Sequence, residues 1–409
     1  MKIPCRIGFP LILLVLNLFP LSPGEIVLAS SNIQQERKEE LRYLCRVFEL
    51  YHPGVTIKLL DYSDETPEEL FDEKGHSKAD VLIADSPILQ QLARSEKLDR
   101  QAAETVINDL GTDLFYRGSL EALYCPATTS YCAIPYTAWL QLIWYRQDLL
   151  KKAGLNTPQT ADELISTARD IEEQNLSPYG IIVGNQQDRY LLQCYYHLGN
   201  LAYSGKSSSR EGLYQEQILE FYRTLSQLSP NGEMTWRARD YYFQNQVPFL
   251  VYSTHLMDDI AIEEIAADSL TGNNFPELPG QGSGRKISEN TRFISTLYKG
   301  EEPISFGSVT GWGIFKDSEE KETVQELIHF FFRHDTYISY MHMSPGGMLP
   351  VRKDLTDDNN FYRDPQGVFL KFGKETIMNL CQSIEYLHVL PNEENFSSAR
   401  LYKELWKEN

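Results

Sequence analysis

The chain has 409 residues, with 57 acidic against 38 basic side chains, 42% hydrophobic residues and 12% aromatic residues. This length and apolar content exclude a peptide hormone, a disulfide-only miniprotein and a long disordered tail. The formal charge of −19 argues against binding to nucleic acid or to an anionic membrane surface, because both need basic surface. Tyr and Trp can offer an apolar face and a polar edge to one ligand, so the aromatic content is a first hint of ligand binding.

Residues 1–24 have the pattern of a cleavable secretory signal. Lys2 and Arg6 precede an apolar run over residues 9–19 that is too short to span a membrane comfortably. An uncleaved anchor helix is the alternative. Because Cys5 precedes the apolar run, it cannot be a lipid-anchored cysteine at the cleavage site. We therefore expect a secreted, soluble chain in the periplasm.

Two cleavage sites fit the end of this signal. Cleavage after Gly24 keeps the apolar segment 25–29, which is predicted to form the first buried strand. Cleavage after Ala29 would remove that segment. We favour the first site and leave the second open.

The mature chain would then carry five cysteines in a compartment that permits disulfides. They are Cys45, Cys125, Cys132, Cys194 and Cys381. Cys125 and Cys132 flank a short turn, so a local bridge between them is one possible pairing. An odd number leaves at least one thiol free, and the pairing of the others stays open.

The first part of the chain alternates predicted strands and helices. In chain order they are a strand at 25–29, a helix at 34–51, a strand at 55–60, a short helix at 67–71, a strand at 79–84 and a helix at 87–96. Such alternation predicts a parallel sheet wrapped by helices, with ligands at the carboxyl ends of the strands. Asp85 and Ser86 follow the third strand at this edge.

Fewer signals mark the later part of the chain. Thr160 and Glu163 form a capping box that opens a helix through Ile171. Segments 204–212 and 271–286 are rich in Gly, Ser and Pro and are predicted to be surface loops. The length favours two domains.

No common catalytic or nucleotide-binding motif occurs, and the eight histidines are scattered. We therefore expect no metal and no cofactor. The pairs Asp258, Asp259 and Glu263, Glu264 could serve a glycoside hydrolase. On a helix with Met257 facing inward, they are more simply a solvated face.

Aromatic residues and glycines concentrate in three later segments. Trp139 precedes an apolar run and fits either a ligand-binding or a core residue. Gly311 and Gly313 flank Trp312, which favours an exposed platform for stacking on a ligand over a core position. A third segment, 344–353, combines Gly, Pro and Arg.

Five segments together have the order of motifs of one family. They are residues 48–62, 78–93, 133–164, 307–332 and 345–355. In this order they resemble extracellular solute-binding proteins of sugar ABC importers, the broad family that includes maltose-binding protein. The chain departs from the family at His255, near the usual position of a sugar-stacking tryptophan, and at residues 27–31, where the family commonly has tryptophan or aspartate.

The resemblance implies an α/β fold of the two-lobed periplasmic-binding-protein type. Each lobe is a mostly parallel sheet flanked by helices, and three hinge crossings join the lobes near residues 136–139, 309–312 and 346–351. Lobe 1 is expected at residues 25–137 plus 311–350, and lobe 2 at 138–310 plus 351–409.

The resemblance also implies a function without chemistry: binding a sugar, oligosaccharide or glycoside osmolyte between the lobes and delivering it to the membrane permease of an ABC importer. We expect a monomer. The expected ligand-binding residues are Asp85, Ser86, Tyr136, Thr137, Trp139, Ser253, His255, Gly311, Trp312 and Arg352. The alternatives are a polyamine or other small-solute carrier, a secreted glycoside hydrolase using a carboxylate pair, and a sensor that signals through a membrane receptor.

Overall fold

The computed structural model describes residues 24–31, 35–63, 66–126, 128–182, 220, 223–230, 238–262, 287–295, 297 and 305–389. Residues 1–23 of the predicted signal 1–24 and the two predicted loops at 204–212 and 271–286 lie outside these residues. Within the described ranges, no helix has the length and apolar character needed to cross a membrane.

Among the described residues, the two longest strands run through the middle of the main sheet. In chain order the strands are β1 Gly24–Ser31, β2 Val55–Tyr62, β3 Val81–Asp85, β4 Tyr124–Cys125, β5 Ser130–Tyr131, β6 Ile134–Arg146, β7 Ile181–Ile182, β8 Phe249–Ser253, β9 Thr291–Ile294, β10 Ser305–Ile314, β11 Leu349–Pro350 and β12 Leu387–Val389.

Helices alternate with these strands in the first part of the chain and cluster in the last part. Those with both bounds described are α1 Gln35–Tyr51, α2 Ser86–Arg94, α3 Arg100–Leu110, α4 Arg117–Glu121, α5 Gln147–Ala153, α6 Ala161–Glu173, α7 Ala238–Phe243, α8 Ile287–Asn290, α9 Lys321–Phe331, α10 His334–Met341, α11 Val368–Phe372 and α12 Lys374–Ser383. Residues 223–227 and 256–262 are also helical. Short 3₁₀ turns lie at Pro67–Leu70, Thr112–Leu114, Lys353–Asp357 and Ile384–Tyr386.

The predicted elements at the start of the chain are confirmed, because their apolar spacing is matched by burial. Leu41, Leu44 and Phe48 of α1 face the core. The helix stops before Gly54, whose φ of 98° suits glycine. Further on, the Thr160 side chain accepts a hydrogen bond from the Glu163 N–H at 3.2 Å and caps α6 as expected.

Most strands join one mixed sheet in the order β2-β1-β3-β10-β6-β8-β7. β1 is parallel to β2 and β3, whereas β10 is antiparallel to both β3 and β6. β9 and β11 also pair with β6, and β12 pairs with β10. β4 and β5 form a separate hairpin.

β6 and β10 connect the two ends of this sheet. The start of β6 pairs with β10 and β11, and its last part pairs with β8 and β9. The start of β10 pairs with β12, and its end pairs with β3. The predicted two-lobed α/β fold is confirmed, and all three expected crossing segments contain strands of this central region. The residue bounds of the two lobes stay a prediction.

Candidate functional site

The carboxyl end of β3 carries a small polar and aromatic surface. Asp85 ends β3, and the Thr310 hydroxyl donates a hydrogen bond to its carboxylate. The Trp139 indole N–H points to the other carboxylate oxygen at 3.5 Å. All three side chains are partly exposed. They meet because Thr310 of β10 lies opposite Asp85 on one side and Thr137 of β6 on the other.

Two of the expected binding residues lie beneath this surface. Ser86 is fully buried, and its hydroxyl shares a hydrogen bond of 3.0 Å with the hydroxyl of Ser308. Thr137 is only 3% exposed. Both residues therefore hold the strands around Asp85 and do not present a free surface in this structure.

Tyr136 and Trp312 lie in the core with 0% exposure. Their rings meet edge to face at 5.6 Å, and Phe331 of α9 lies 4.9 Å from the Trp312 ring. The Tyr136 hydroxyl donates to the Phe331 carbonyl oxygen at 3.4 Å. The exposed platform expected at Trp312 is therefore wrong, because helix α9 covers the ring.

The glycines beside Trp312 have a different role from the one expected. A Cβ at Gly311 would lie 2.7 Å from the Ile134 carbonyl oxygen and 2.8 Å from a Leu123 methyl carbon. One at Gly313 would lie 2.9 Å from a Leu89 methyl carbon. Real Cβ atoms do not approach so closely, so the glycines allow these neighbours to pack directly against β10. They do not expose the Trp312 ring.

Arg352 is also committed to internal contacts. Its guanidinium forms a bidentate pair with Asp354 at 3.1 and 2.7 Å and donates to the Phe332 carbonyl oxygen. It also lies 5.3 Å from the Tyr337 ring centre. The residue is 7% exposed, so in this structure Arg352 positions the segment after β11.

A second polar cluster centres on Asp258. Its carboxylate accepts hydrogen bonds from the Ser344 hydroxyl at 2.9 Å and from the backbone N–H groups of Gly346 and Gly347 at 2.8 and 3.0 Å. Arg37 of α1 donates to the same Ser344 hydroxyl at 2.9 Å. The cluster therefore joins the first helix, the segment after β8 and the third crossing.

His255 lies at the rim of the Asp258 cluster. Its Nδ1 is 3.9 Å from an Asp258 oxygen, and its side chain is 31% exposed. A Cβ on Gly347 would lie 1.9 Å from the imidazole, so only glycine leaves room for this ring. Burial, helped by the nearby Arg37, lowers the pKa of His255 to about 4.

The interpretation of Asp258 and Asp259 as a solvated face is wrong for Asp258, whose side chain is only 13% exposed. Burial raises its pKa, and the donors around it act in the opposite direction. Asp259 forms an ion pair with Arg239 at 2.8 Å. Met257 faces inward as expected. Glu263 and Glu264 lie outside the described residues.

Both clusters flank the middle of β6. The Thr254 backbone N–H donates to the Leu140 carbonyl oxygen at 2.8 Å, and the Leu140 N–H donates to the Thr254 hydroxyl at 3.3 Å. Ser253 lies opposite Gln141. Ser253 is partly exposed, and its carbonyl oxygen accepts from the Trp144 indole at 3.2 Å.

Sequence reasoning missed three members of these clusters: Arg37, Thr310 and Ser344. Ser344 carried a signal, since it opens the Gly, Pro and Arg segment 344–353 and precedes its two glycines, and Thr310 lies within the expected crossing 309–312. Arg37 carried none. In the described part of the chain, no group of three or more His, Cys, Asp or Glu residues could hold a metal ion.

A family model and a related protein both match this chain. The family model described as "Bacterial extracellular solute-binding protein" matches residues 34–218. An Escherichia coli relative, described as a putative ABC transporter periplasmic-binding protein, YcjN, is 24% identical over 333 residues, which is 79% of this chain and 72% of the relative. The resemblance to the extracellular solute-binding family is confirmed.

Solved structures of solute-binding proteins have the same fold. Maltose-bound MalE3 of T. maritima matches with a TM-score of 0.66 and 18% identity, covering 94% of this chain and 95% of that chain. The sugar-binding protein MalE of Xanthomonas citri has a TM-score of 0.68 and 14% identity, with 94% and 93% covered. A solute-binding protein of Agrobacterium radiobacter K84 in complex with ribitol has a TM-score of 0.60 and 16% identity, with 95% and 98% covered.

Solute-binding proteins of this family bind a small molecule without converting it and work with the membrane permease of an ABC transporter. Their place is the periplasm or another extracytoplasmic space.

Proposed function

We propose that this protein binds a neutral polyhydroxylated solute, a sugar, oligosaccharide or glycoside osmolyte, between its lobes and delivers it to an ABC permease. The observation that carries the proposal is the pairing of Trp139, a partly exposed tryptophan on the crossing strand β6, with the Asp85 carboxylate at the end of β3. The Trp139 ring would stack on a sugar face, and Asp85 would accept hydrogen bonds from ring hydroxyls.

The ligands of proteins with this fold support the same class. MalE3 of T. maritima was solved with maltose, and the Agrobacterium protein with ribitol. A receptor from Streptomyces glaucescens with the same fold was solved with acarbose. These ligands differ in size but share closely spaced hydroxyl groups, for which aromatic and carboxylate side chains provide matching contacts.

The proposed contact residues are the partly exposed ones. They are Asp85, Trp139, Ser253, His255 and Thr310. Ser86, Tyr136, Thr137, Gly311, Trp312 and Arg352 would act indirectly, by fixing the strands that carry these contacts.

The Asp258 cluster would hold the crossings in register while the lobes move. Its hydrogen bonds tie Gly346 and Gly347, in the third crossing, to the segment after β8. In the expected division into lobes, Arg37 belongs to lobe 1 and Asp258 to lobe 2. Their shared partner Ser344 would therefore link the lobes.

The test is a binding screen on the mature chain beginning at Glu25, which keeps most of β1 intact. Thermal shift and titration calorimetry would compare maltose, maltotriose, ribitol and spermidine. We expect a neutral polyol or sugar to raise the melting temperature, since a ligand that binds only the folded state stabilises it by mass action. Binding of spermidine and of none of the neutral compounds would overturn the proposal in favour of a polyamine carrier.

Further measurements test for hydrolysis, oligomeric state and transport. Product analysis after long incubation with the bound sugar tests for a glycoside hydrolase, and intact ligand is the expected result. Light scattering with and without ligand tests the expected monomer. Stimulation of transport in vesicles containing the permease distinguishes delivery from a purely sensory role.

N-terminal sequencing of the secreted protein distinguishes cleavage after Gly24 from cleavage after Ala29.

A further inference from the structure

Cys125 and Cys132 lie at the two sides of the β4–β5 hairpin. Cys125 pairs with Ser130 in the ladder, and the Cys132 backbone N–H donates to the Leu123 carbonyl oxygen at 2.8 Å. The two cysteines are thus diagonal neighbours across the hairpin, and their thiols hydrogen-bond to each other. Both are free thiols in this structure.

The two thiols differ in exposure and acidity. Cys132 has 0% exposure, whereas Cys125 is partly exposed. The hydrogen bond from Cys132 lowers the pKa of Cys125 to about 7, and Arg100 and Arg94 act in the same direction. The same bond, together with burial, raises the pKa of Cys132. Cys125 therefore has the properties of an attacking thiolate and Cys132 those of a buried second thiol.

The remaining described cysteines lack these properties. Burial raises the pKa of Cys45 and of Cys381 to about 12. Both are buried as free thiols, which fits their use as small core residues.

We propose that Cys125 and Cys132 are an oxidation site that forms a disulfide when the protein meets a disulfide-bearing oxidant, such as a thiol oxidoreductase or oxidised glutathione. The Cys125 thiolate attacks one sulfur of the oxidant, whose other sulfur leaves as a thiolate. Cys132 then attacks the Cys125 sulfur, gives up its proton and releases the second thiol of the oxidant. Two protein thiols are oxidised to one disulfide, and one disulfide is reduced to two thiols.

The bridge would fasten the hairpin that leads directly into β6. Tyr124 and Tyr131, which face each other across the hairpin with ring centres 5.5 Å apart, already support its closed geometry. A cross-link restricts the unfolded chain, so the oxidised protein would melt higher by about 2–5 °C.

The experiment is thiol counting on the mature chain after equilibration with oxidised glutathione. The protein is denatured, alkylated and digested, and the peptides are identified by mass spectrometry before and after reduction. We expect a linked peptide pair containing Cys125 and Cys132, three alkylated thiols before reduction and five after it, as the sequence contains five cysteines beyond residue 24.

Variants separate this pair from the other cysteines. Cys125→Ser and Cys132→Ser should each abolish the linked peptide and the rise in melting temperature, and Cys45→Ser should keep both. Five alkylated thiols before reduction in the wild type would overturn the proposal, as would a linked peptide joining Cys125 to Cys194. Because the readout is the linked peptide pair, this test of the disulfide does not depend on whether the solute has been identified.

Discussion

The partly exposed group of Asp85, Trp139 and Thr310 and the buried pair of Tyr136 and Trp312 lie on the same neighbouring strands, yet their surroundings differ completely. Thr310 and Trp312 are two residues apart on β10 and therefore face the same side of the sheet. Around Trp312 that side is covered by Phe331 of α9, whereas Thr310 remains partly exposed. The place where the helix layer ends, and not the residue type, decides which aromatic residue can meet a ligand.

The strongest test of this comparison is Trp312→Ala. Removing a fully buried ring should lower the free energy of unfolding by about 3–5 kcal/mol, as other large-to-small core substitutions do. Denaturant unfolding measures the loss, and calorimetry on the folded fraction should find at most a small loss of ligand affinity, because Trp312 acts on binding only through the strands it fixes. A variant with wild-type stability and lost affinity would contradict this interpretation and would indicate that Trp312 contacts the ligand.

A somewhat smaller loss is expected from Gly311→Ala. The new methyl group would meet the Ile134 carbonyl oxygen, a backbone atom that cannot move aside easily, at 2.7 Å. Overpacking of this kind costs about 1–3 kcal/mol in unfolding free energy. Leu370→Ala, at a side chain 80% exposed, is the control and should leave the denaturation midpoint unchanged. A Gly311 variant as stable as the control would contradict the close-packing role of this glycine.

On the exposed side, Trp139→Ala should weaken sugar binding by roughly tenfold, equivalent to about 1.4 kcal/mol, with little change in melting temperature. Trp139→Phe keeps a ring but loses the N–H that points to Asp85, so its affinity should lie between that of the wild type and that of Trp139→Ala. Calorimetry with the sugar found in the binding screen measures both. Equal affinity of all three proteins would exclude Trp139 from the binding surface.

The last test concerns pH and His255. Its pKa falls from an ordinary 6.5 to about 4 in the folded protein, so the unfolded chain binds a proton in this range that the folded chain does not. The contribution of His255 is complete above pH 6.5 and is lost as the pH falls towards 4. The His255→Asn variant should therefore lose less stability than the wild type over this interval. If the melting temperatures of the wild type and of His255→Asn changed in parallel with pH, burial and Arg37 would not lower the pKa of His255.

Much of the fold followed from the sequence because apolar spacing is local. Segment 25–29 and the helix after it were recognisable from their own residues. The crossing near Tyr136 was implied by the family resemblance, and clustered aromatic residues mark the same place. Gly311 and Gly313 led to the wrong prediction of an exposed Trp312 ring. A glycine can leave a neighbouring ring uncovered, or it can let another part of the chain pack closely against the strand. The sequence alone does not distinguish these two cases.

Asp258 could not be predicted from its surroundings in the chain. Its place on a helix beside Asp259 resembles an ordinary solvent-facing position. The donors that bury it, at Ser344, Gly346 and Gly347, lie more than 80 residues further along. Only the tertiary fold brings these backbone N–H groups to the carboxylate, so no pattern within one segment could reveal the contact.

The shared strands also determine how the protein should unfold. β6 is buried along nearly its whole length and bonds to strands at both ends of the sheet. Neither lobe can lose its central strand without disrupting the other, so the two should melt together in one cooperative transition despite the size of the chain. In native-state hydrogen exchange, the amides of β6 and β10 should be among the slowest and should exchange with a common free energy.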